Sequence, residues 1–445
     1  MARSQAQAGF YTLRSMKIRP MLPSQRKSEG SLPDYVEVNK VVTNWGLNES
    51  IDSPFISGSA VLQESNNLLE DVPLIGEEEL EITYTDFYGD TQTHTFFIYA
   101  IEDIKPLSSI NDRMVKYTIK FTTKQKLGTD TKEIKRSFGK QKISEMVSTI
   151  YEEYFKPHTE KEIEIEETDG EQVLVIPNLY PDAAMQFLSR RAYSSENKTS
   201  LYRFFETREK YYFCTHEYLT NKYSGFEGKT EEERNRLFFN YNVLDDNTGT
   251  GQAIAQQSVS SVNYGTKVDT FADMKQGGYR RSVVELDTMN RTRIVRTYDY
   301  TSEYEDYTTP QDVSITHSQE FVNNFMGEAN APSTTLITDF PQIGQNEGRQ
   351  NMLKPYQHYY ENYTTKPIVD YHMNQNAFDI EIKGREKLYA GQIINLELYK
   401  FSNTVAGTRE RDKQRSGKYL VMGVGSSFSG DEFTQSLTIS KGGLS

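Results

Sequence analysis

The 445 residues include one cysteine, Cys214, one tryptophan, Trp45, and six histidines. A single cysteine excludes an internal disulfide framework and fits assembly in a reducing cytoplasm. It lies in the apolar run "YYFC", where a thiol is expected to pack rather than react. The histidines, at 94, 158, 216, 317, 358 and 372, never fall at a metal-ligand spacing. "HEYLT" at 216 misses the zinc-protease pattern because Thr220 stands where the second histidine belongs. Asp370 and His372 could orient an imidazole, but no nucleophile is indicated beside them. The glycine-rich stretches "GTGQ" (249–252) and "GVGSSFSG" (423–430) lack the Lys-Ser/Thr of a phosphate loop and the third glycine of a dinucleotide fingerprint, so they read as turns. No catalytic group, cofactor or metal is therefore expected. No stretch approaches the roughly 18 apolar residues of a membrane span, and the opening "MARSQAQAGFYTLRSMKIRP" lacks the apolar core of a secretory signal. Basic residues are also short: 50 Lys and Arg against 63 Asp and Glu give a net charge of −13. That balance argues against a grip on nucleic acid, which needs clustered cations, and suits a surface that repels DNA.

Aromatics other than tryptophan are plentiful, with 30 Tyr and 23 Phe. Tyrosine at this level fits half-buried sheet and wet interfaces, so a β-rich protein with much subunit contact is expected. The segments "YVEVNKVVT" (35–43), "ISGSAVLQE" (56–64), "ELEITYTD" (79–86), "HTFFIYAIEDI" (94–104) and "MVKYTIKFTT" (114–123) are short, β-branched and partly alternating, which predicts an antiparallel barrel or sandwich. From about 131 the character changes. In "KISEMVSTIYEEYF" residues Ile143, Met146, Val147, Ile150, Tyr151 and Tyr154 form a helical stripe. "EKEIEIEET" (160–168) follows, with a carboxylate face that reads as a solvated edge strand. A second helix, around Ala184, Phe187, Leu188 and Arg191, leads into a hairpin over 201–219. Strand chemistry returns over 252–300, residues 301–350 are polar with weak periodicity, and a helix from about 366 precedes strands at 377–383 and 394–400 and the hairpin at 417–440.

The closing strands echo the opening ones. "GSAVLQES", "LIGEEELEITYTD", "FFIYAIEDI" and "VKYTIKF" succeed one another as do "FDIEIKG", "YAGQIINLELYK", "YLVMGVGSSF" and "TQSLTIS". Each second strand is entered through a glycine step, Gly76-Glu77 and Gly391-Gln392, and then alternates: Leu80, Ile82, Tyr84 against Ile394, Leu396, Leu398. Two similar barrels in one chain would let a trimer present six similar units in a ring.

Several segments, in this order, resemble the central baseplate hub protein of T-even-type contractile phage tails, a fold shared with the start of type VI secretion spike proteins. They are "ESIDSPFISGSAVLQES…PLIGEEELEITY", "IKRSFGKQKISEMVSTIYEEYF", "IPNLYPDAAMQFLSRRA…LYRFFETREKYYF" and "FDIEIKGREKLYAGQIINLELY…GKYLVMGVGSSFSGDEFTQSLTIS". The chain departs from the pattern at 301–350 and in the loop "KFSNTVAGTRERDKQRSGK". The resemblance implies a β-rich α+β fold with two tube-protein-like antiparallel barrels joined by a smaller α+β domain. The expected layout is a first barrel over 1–130, a middle domain over 131–250, a second barrel with an associated helix over 251–300 and 351–445, and an insertion or extended loop at 301–350.

The implied function is structural: a homotrimeric hub adapting the hexameric tail tube to the trimeric spike and channelling tape measure protein and DNA. Its partners would be the tube protein or tube initiator, the spike, the tape measure protein and wedge or sheath components, with DNA only in transit. It would be assembled in the host cytoplasm and reside in the virion baseplate. Intersubunit pairing is expected along the strands carrying Leu80, Ile82, Tyr84, Ile394, Leu396 and Leu398. The basic loop with Arg409, Arg411, Lys413 and Arg415 is expected to be a docking arm for an acidic neighbour, to be tested by reversing Arg411 and Arg415 to Glu. Two other classes remain open from the residues alone. A tail-associated cell-wall hydrolase would need a spatially paired acid and base, which only coordinates can identify, although with the second barrel ending near 440 no appended lytic domain is expected. A soluble carbohydrate-binding β-protein would be monomeric, with tyrosines lining grooves.

Overall fold

The computed structural model describes residues 7–20, 34–65, 68, 74–107, 114–197, 199–223, 230–240, 255–264, 280–287, 291–299, 324, 333–338, 363–375, 377–400, 411–413 and 415–441. In chain order the strands begin with β1 (Thr12–Arg19), β2 (Val36–Glu37), β3 (Val42–Ser50), β4 (Ser57–Glu64), β5 (Glu79–Thr85), β6 (Thr91–Pro106) and β7 (Val115–Thr122). Helix α1 (Lys124–Thr129), β8 (Ile134–Lys142), α2 (Ile143–Ile150), β9 (Ile163–Ile165), β10 (Glu171–Leu179), α3 (Pro181–Ser189), β11 (Tyr202–Glu206), β12 (Tyr211–Thr215) and α4 (His216–Tyr223) follow. Then come α5 (Glu231–Arg236), β13 (Phe238–Asn240), β14 (Val259–Asn263), β15 (Arg280–Asp287), β16 (Thr292–Asp299), β17 (Ser333–Thr338), α6 (Thr365–Gln375), β18 (Phe378–Lys383), β19 (Ile393–Glu397), β20 (Gly417–Ser429) and β21 (Glu432–Ser440). The fold is β-rich α+β.

Period-two alternation sets the strands. In β5, Leu80, Ile82 and Tyr84 are wholly buried while Glu79, Glu81, Thr83 and Thr85 turn outward. In α2, Ile143, Met146, Val147 and Ile150 form the buried stripe, and the Glu145 carboxylate accepts the Lys142 amide at the helix start. The helix continues over Tyr151–Phe155 as a wider π-helical turn, which keeps both aromatic rings in the core.

The two β regions share one topology. Strands β4, β5, β6 and β7 lie in the spatial order β4-β7-β6-β5, and β18, β19, β20 and β21 in the order β18-β21-β20-β19, all antiparallel. In both, the third strand hands over from the second strand to the fourth at one residue. Phe97 pairs with Glu79 and Thr122, and Leu420 pairs with Ile393 and Ser440. Both then carry a bulge just beyond the handover, between Ile98 and Ala100 and between Val421 and Gly423. The entry turns match as well. Glu78 accepts the Ile75 amide at 2.5 Å and Gln392 accepts the Tyr389 amide at 3.3 Å, while the Ile98 and Val421 amides donate to the Glu78 and Gln392 carbonyls, each at 2.9 Å. The structural register is therefore Glu78 with Gln392, one residue away from the glycine steps visible in the sequence.

Each module adds an outer strand at both ends: β3 and β1 in the first, β14 and β13 in the second, with β2 beside β1. Each has its own apolar core. The ladders do not close on themselves among the described residues, so the expected closed barrels are seen as six-stranded sheets around those cores. Between them in sequence, β8 with β10, the β11-β12-β9 sheet and helices α2 and α3 enclose a third core. A fourth apolar cluster joins β12, α6, β19 and β20.

Two expected boundaries differ. Among the described residues of 251–300, β14 is the strand that joins the second module; β15 and β16 form a hairpin that makes a separate sheet with β17, parallel to β15. Residues 333–338, expected within an insertion, supply β17; nearly all the rest of 301–350 lies outside the described residues.

Candidate inter-module junction

The modules meet along β20. Its first part pairs with β19, and from Gly423 to Ser429 its free edge pairs with Ser50 to Asn44 of β3, fusing the two ladders into one 13-stranded sheet. Phe428 and Phe433, from the last hairpin, leave their own module and enter the first core. Phe428 stacks on Trp45 at 3.7 Å between ring centroids and on Phe433 at 4.1 Å, with Tyr84 edge-on at 4.9 Å. Gly46 permits the close approach: a Cβ there would meet the Ser426 carbonyl oxygen at 2.7 Å.

Behind this joint lies a buried charged network drawn from three parts of the fold. Arg208, on the β11–β12 turn, donates from Nη2 to Glu49 Oε1 of β3 at 3.2 Å and from Nη1 to Glu386 Oε2 after β18 at 3.1 Å. It also bonds the Leu388 carbonyl, while its backbone amide donates to Glu49 Oε2 at 3.3 Å. Glu386 receives Tyr84 Oη as well and lies 3.1 Å from His94 Nε2. Its backbone amide donates to Asp86 Oδ2 at 3.1 Å. All three charged side chains are at most 5% exposed. Burial pushes the Glu49 carboxyl up against the pull of Arg208. At Glu386 burial also acts upward, but Arg208, then His94 and Tyr84, hold it below the usual range. Burial opposes the Arg208 charge, yet Glu49 and Glu386 raise it well above its ordinary value. The arrangement is a guanidinium fork between two carboxylates, which fixes relative orientation through charge-assisted bonds.

A second tie holds the middle domain to the first module. Glu206, fully buried, accepts the Ile56 amide at 3.0 Å and the Thr123 hydroxyl at 2.9 Å on Oε2, and Lys161 Nζ at 2.8 Å on Oε1. The acidic strand expected to be a solvated edge is only partly so. β9 is an edge strand, but Glu164 bonds Lys210, Lys222 and Tyr218, and buried Glu166 accepts the Thr215 amide at 2.7 Å. Beside it, burial raises the Glu217 carboxyl to about 8 and lowers His216 to about 3. Neither His216 ring nitrogen, nor Glu217 Oε2, has a hydrogen-bond partner among the described residues.

The residues expected to pair between subunits lie inside. Leu80, Ile82 and Tyr84 belong to the first core and Ile394, Leu396 and Leu398 to the second. β5 has β1 on one side and β6 on the other; β19 has β13 and β20. Their backbone edges are thus used within the chain. Of the basic loop, Arg409 lies outside the described residues. Arg411 is exposed, pairs with Tyr399 as an isolated bridge and approaches Glu397 at 3.5 Å. Lys413 is exposed, while Arg415 reaches Asp412 at 3.6 Å and covers the Tyr264 ring at 5.3 Å. His94 and His216 are in the settings described above, and among the described residues no group of three His, Cys, Asp or Glu is placed to hold a metal. Cys214 is buried in the fourth apolar cluster, its thiol raised well above the ordinary value by burial.

No protein-family model matches the chain, and no curated protein sequence does. Solved structures do. A tail protein from Neisseria meningitidis MC58 matches with a TM-score of 0.51 at 8% identity, over 97% of this chain and 97% of that one. The 43 kDa tail protein of prophage MuSo2 from Shewanella oneidensis gives 0.49 at 10%, over 96% and 99%. An E. coli component of the type VI secretion system gives 0.42 at 10%, over 90% and 73%. Over 97% of its length the chain shares the fold of that Neisseria tail protein, which is consistent with the baseplate-hub fold that its sequence resembles.

Proposed function

We infer that the protein is a structural component of a contractile tail or related injection machine, acting as a homotrimeric hub between a hexameric tube and a trimeric spike. The observation that carries this reading is the duplicated four-strand order with its matching handover and bulge, fused into one sheet through β3 and β20. Two equivalent modules per chain give three chains six equivalent units, which is what a threefold object needs to seat on a sixfold one. The role is mechanical rather than catalytic: the buried ionic groups are spent on holding three parts of the chain in register. The net charge of −13 suits a channel through which tape measure protein and DNA pass without adhering. The basic residues Arg411, Lys413 and Arg415 supply a contact for an acidic neighbour such as a wedge or sheath component. The protein resides in the tail baseplate after assembly in the host cytoplasm.

Sedimentation equilibrium of the purified chain tests the reading. A species of three times the 51.3 kDa chain mass supports it. A strictly monomeric protein that binds glycans, or one that clears peptidoglycan, overturns it in favour of the lectin-like or hydrolase class.

A further inference from the structure

We propose that one copy of the chain joins the next through the half of β6 that has a single strand neighbour among the described residues, which takes β14 of the partner subunit as an added strand. This inference rests on the trimeric reading above and assigns its interface. Within the chain, β20 beyond its handover pairs with β21 on one edge and with β3 on the other. The corresponding half of β6, beyond Phe97, pairs with β7 on one edge and carries a second bulge, between Glu102 and Lys105, that β20 lacks. After the Ile98 amide meets the Glu78 carbonyl, its other edge has no strand among the described residues. That half displays Tyr99 and Ile104, and the residue after it is Leu107; they are 48%, 57% and 49% exposed. An open edge carrying exposed apolar side chains is a template for strand addition.

The complementary edge is equally specific. β14 packs on β18 as β3 packs on β4, both antiparallel, and it ends the ladder with no strand on its far side among the described residues. The occupant is therefore a second copy of this chain, because the chain already makes this joint once, between β20 and β3. Carrying the internal register across fixes the pairs. Ser427 lies opposite Gly46 and Ser429 opposite Asn44. Through the shared ladders Ser427 corresponds to Lys105, Ser429 to Leu107, Gly46 to Asn263 and Asn44 to Ser261. Lys105 thus falls opposite Asn263 of the partner subunit, and Leu107 opposite Ser261 of the partner subunit. Pro106 takes the place of Phe428 and brings only a carbonyl to its pair, so the joint has one donor fewer than the internal one. The joint is head-to-tail, and it closes into a ring when the turn per chain is one third of a circle.

Directly opposed residues are within reach of a disulfide. The full chain carrying Lys105→Cys with Asn263→Cys, mildly oxidised, is expected to run as a covalent trimer on a non-reducing gel and to return to monomer with reductant. Each single variant should stay uncrosslinked, as should Lys105→Cys with Ser260→Cys, which is out of register. A trimeric protein that forms no disulfide overturns the joint and leaves the hub reading standing. A monomeric protein overturns both. A ladder of covalent species beyond three supports the joint and overturns the three-chain ring. Hydrogen exchange of the unaltered protein gives an independent readout: amides of 99–105 and 259–263 should slow on assembly, and unchanged exchange there in an assembled species overturns the joint.

Discussion

Arg208 is the residue on which the junction turns. Its guanidinium sits between two buried carboxylates, and removing it leaves both without their counter-charge. Arg208→Ala is expected to destabilise the fold by about 3–5 kcal/mol in chemical denaturation, and Arg208→Lys by a smaller amount, because a point charge cannot serve Glu49, Glu386 and the Leu388 carbonyl in one plane. Equal stability of Arg208→Ala and the parent protein would show that the network is ornamental. A second residue-scale prediction concerns pH. Glu217 is held protonated, with its carboxyl raised to about 8 from an ordinary 4.5. A raised acid contributes stability that is fully present below its unfolded value and is lost as pH rises through the folded one. The melting temperature of the parent protein should therefore fall relative to Glu217→Gln as pH rises from about 5 to about 8. His216, lowered to about 3, acts in the opposite direction, its contribution being lost only as pH falls below about 6.5. Parallel melting curves for the two proteins would contradict the Glu217 assignment.

At the scale of elements, the joint between β20 and β3 depends on backbone proximity at Gly46. Gly46→Val must push β3 away from the Ser426 carbonyl, so a loss of about 1–3 kcal/mol is expected. Unfolding monitored by fluorescence of Trp45, which stacks on Phe428 across the joint, should report it directly. Most elements were legible in the sequence because they follow simple periods: the alternation of Leu80, Ile82 and Tyr84, the stripe of α2, and the hairpins at 202–215 and 417–440. The internal echo was legible for the same reason. Its register was legible too, since Leu80, Ile82 and Tyr84 are the structural equivalents of Ile394, Leu396 and Leu398; only the glycine steps are offset by one residue, the entry turns being matched at Glu78 and Gln392. β1 was missed: "TLRSMKIR" alternates weakly and pairs with β5, far along the chain. Strands β15 and β16 are expected in the second module and β17 in an insertion, because strand propensity does not say which ladder a strand joins. The junction itself was hidden. Glu49 and Arg208 are 159 residues apart and Arg208 and Glu386 178, and singly each looks like an ordinary surface charge.

For the whole molecule, the duplicated topology is the feature from which the rest follows. The chain makes one inter-module joint within itself; in the proposed trimer its outer edges would make two more with neighbours, giving six units from three polypeptides. The excess of tyrosine fits this only in part: many of the largest buried side chains are tyrosines inside the cores, among them Tyr84, Tyr117, Tyr151 and Tyr211. These tyrosines therefore serve the fold of the single chain. Electron cryo-microscopy of the isolated protein viewed down its axis tests the central claim most directly. The account predicts threefold particles whose rotational spectrum carries a strong sixfold component, with the 42–122 and 378–440 modules at the same radius. Modules at different radii, or particles with no sixfold component, would contradict it.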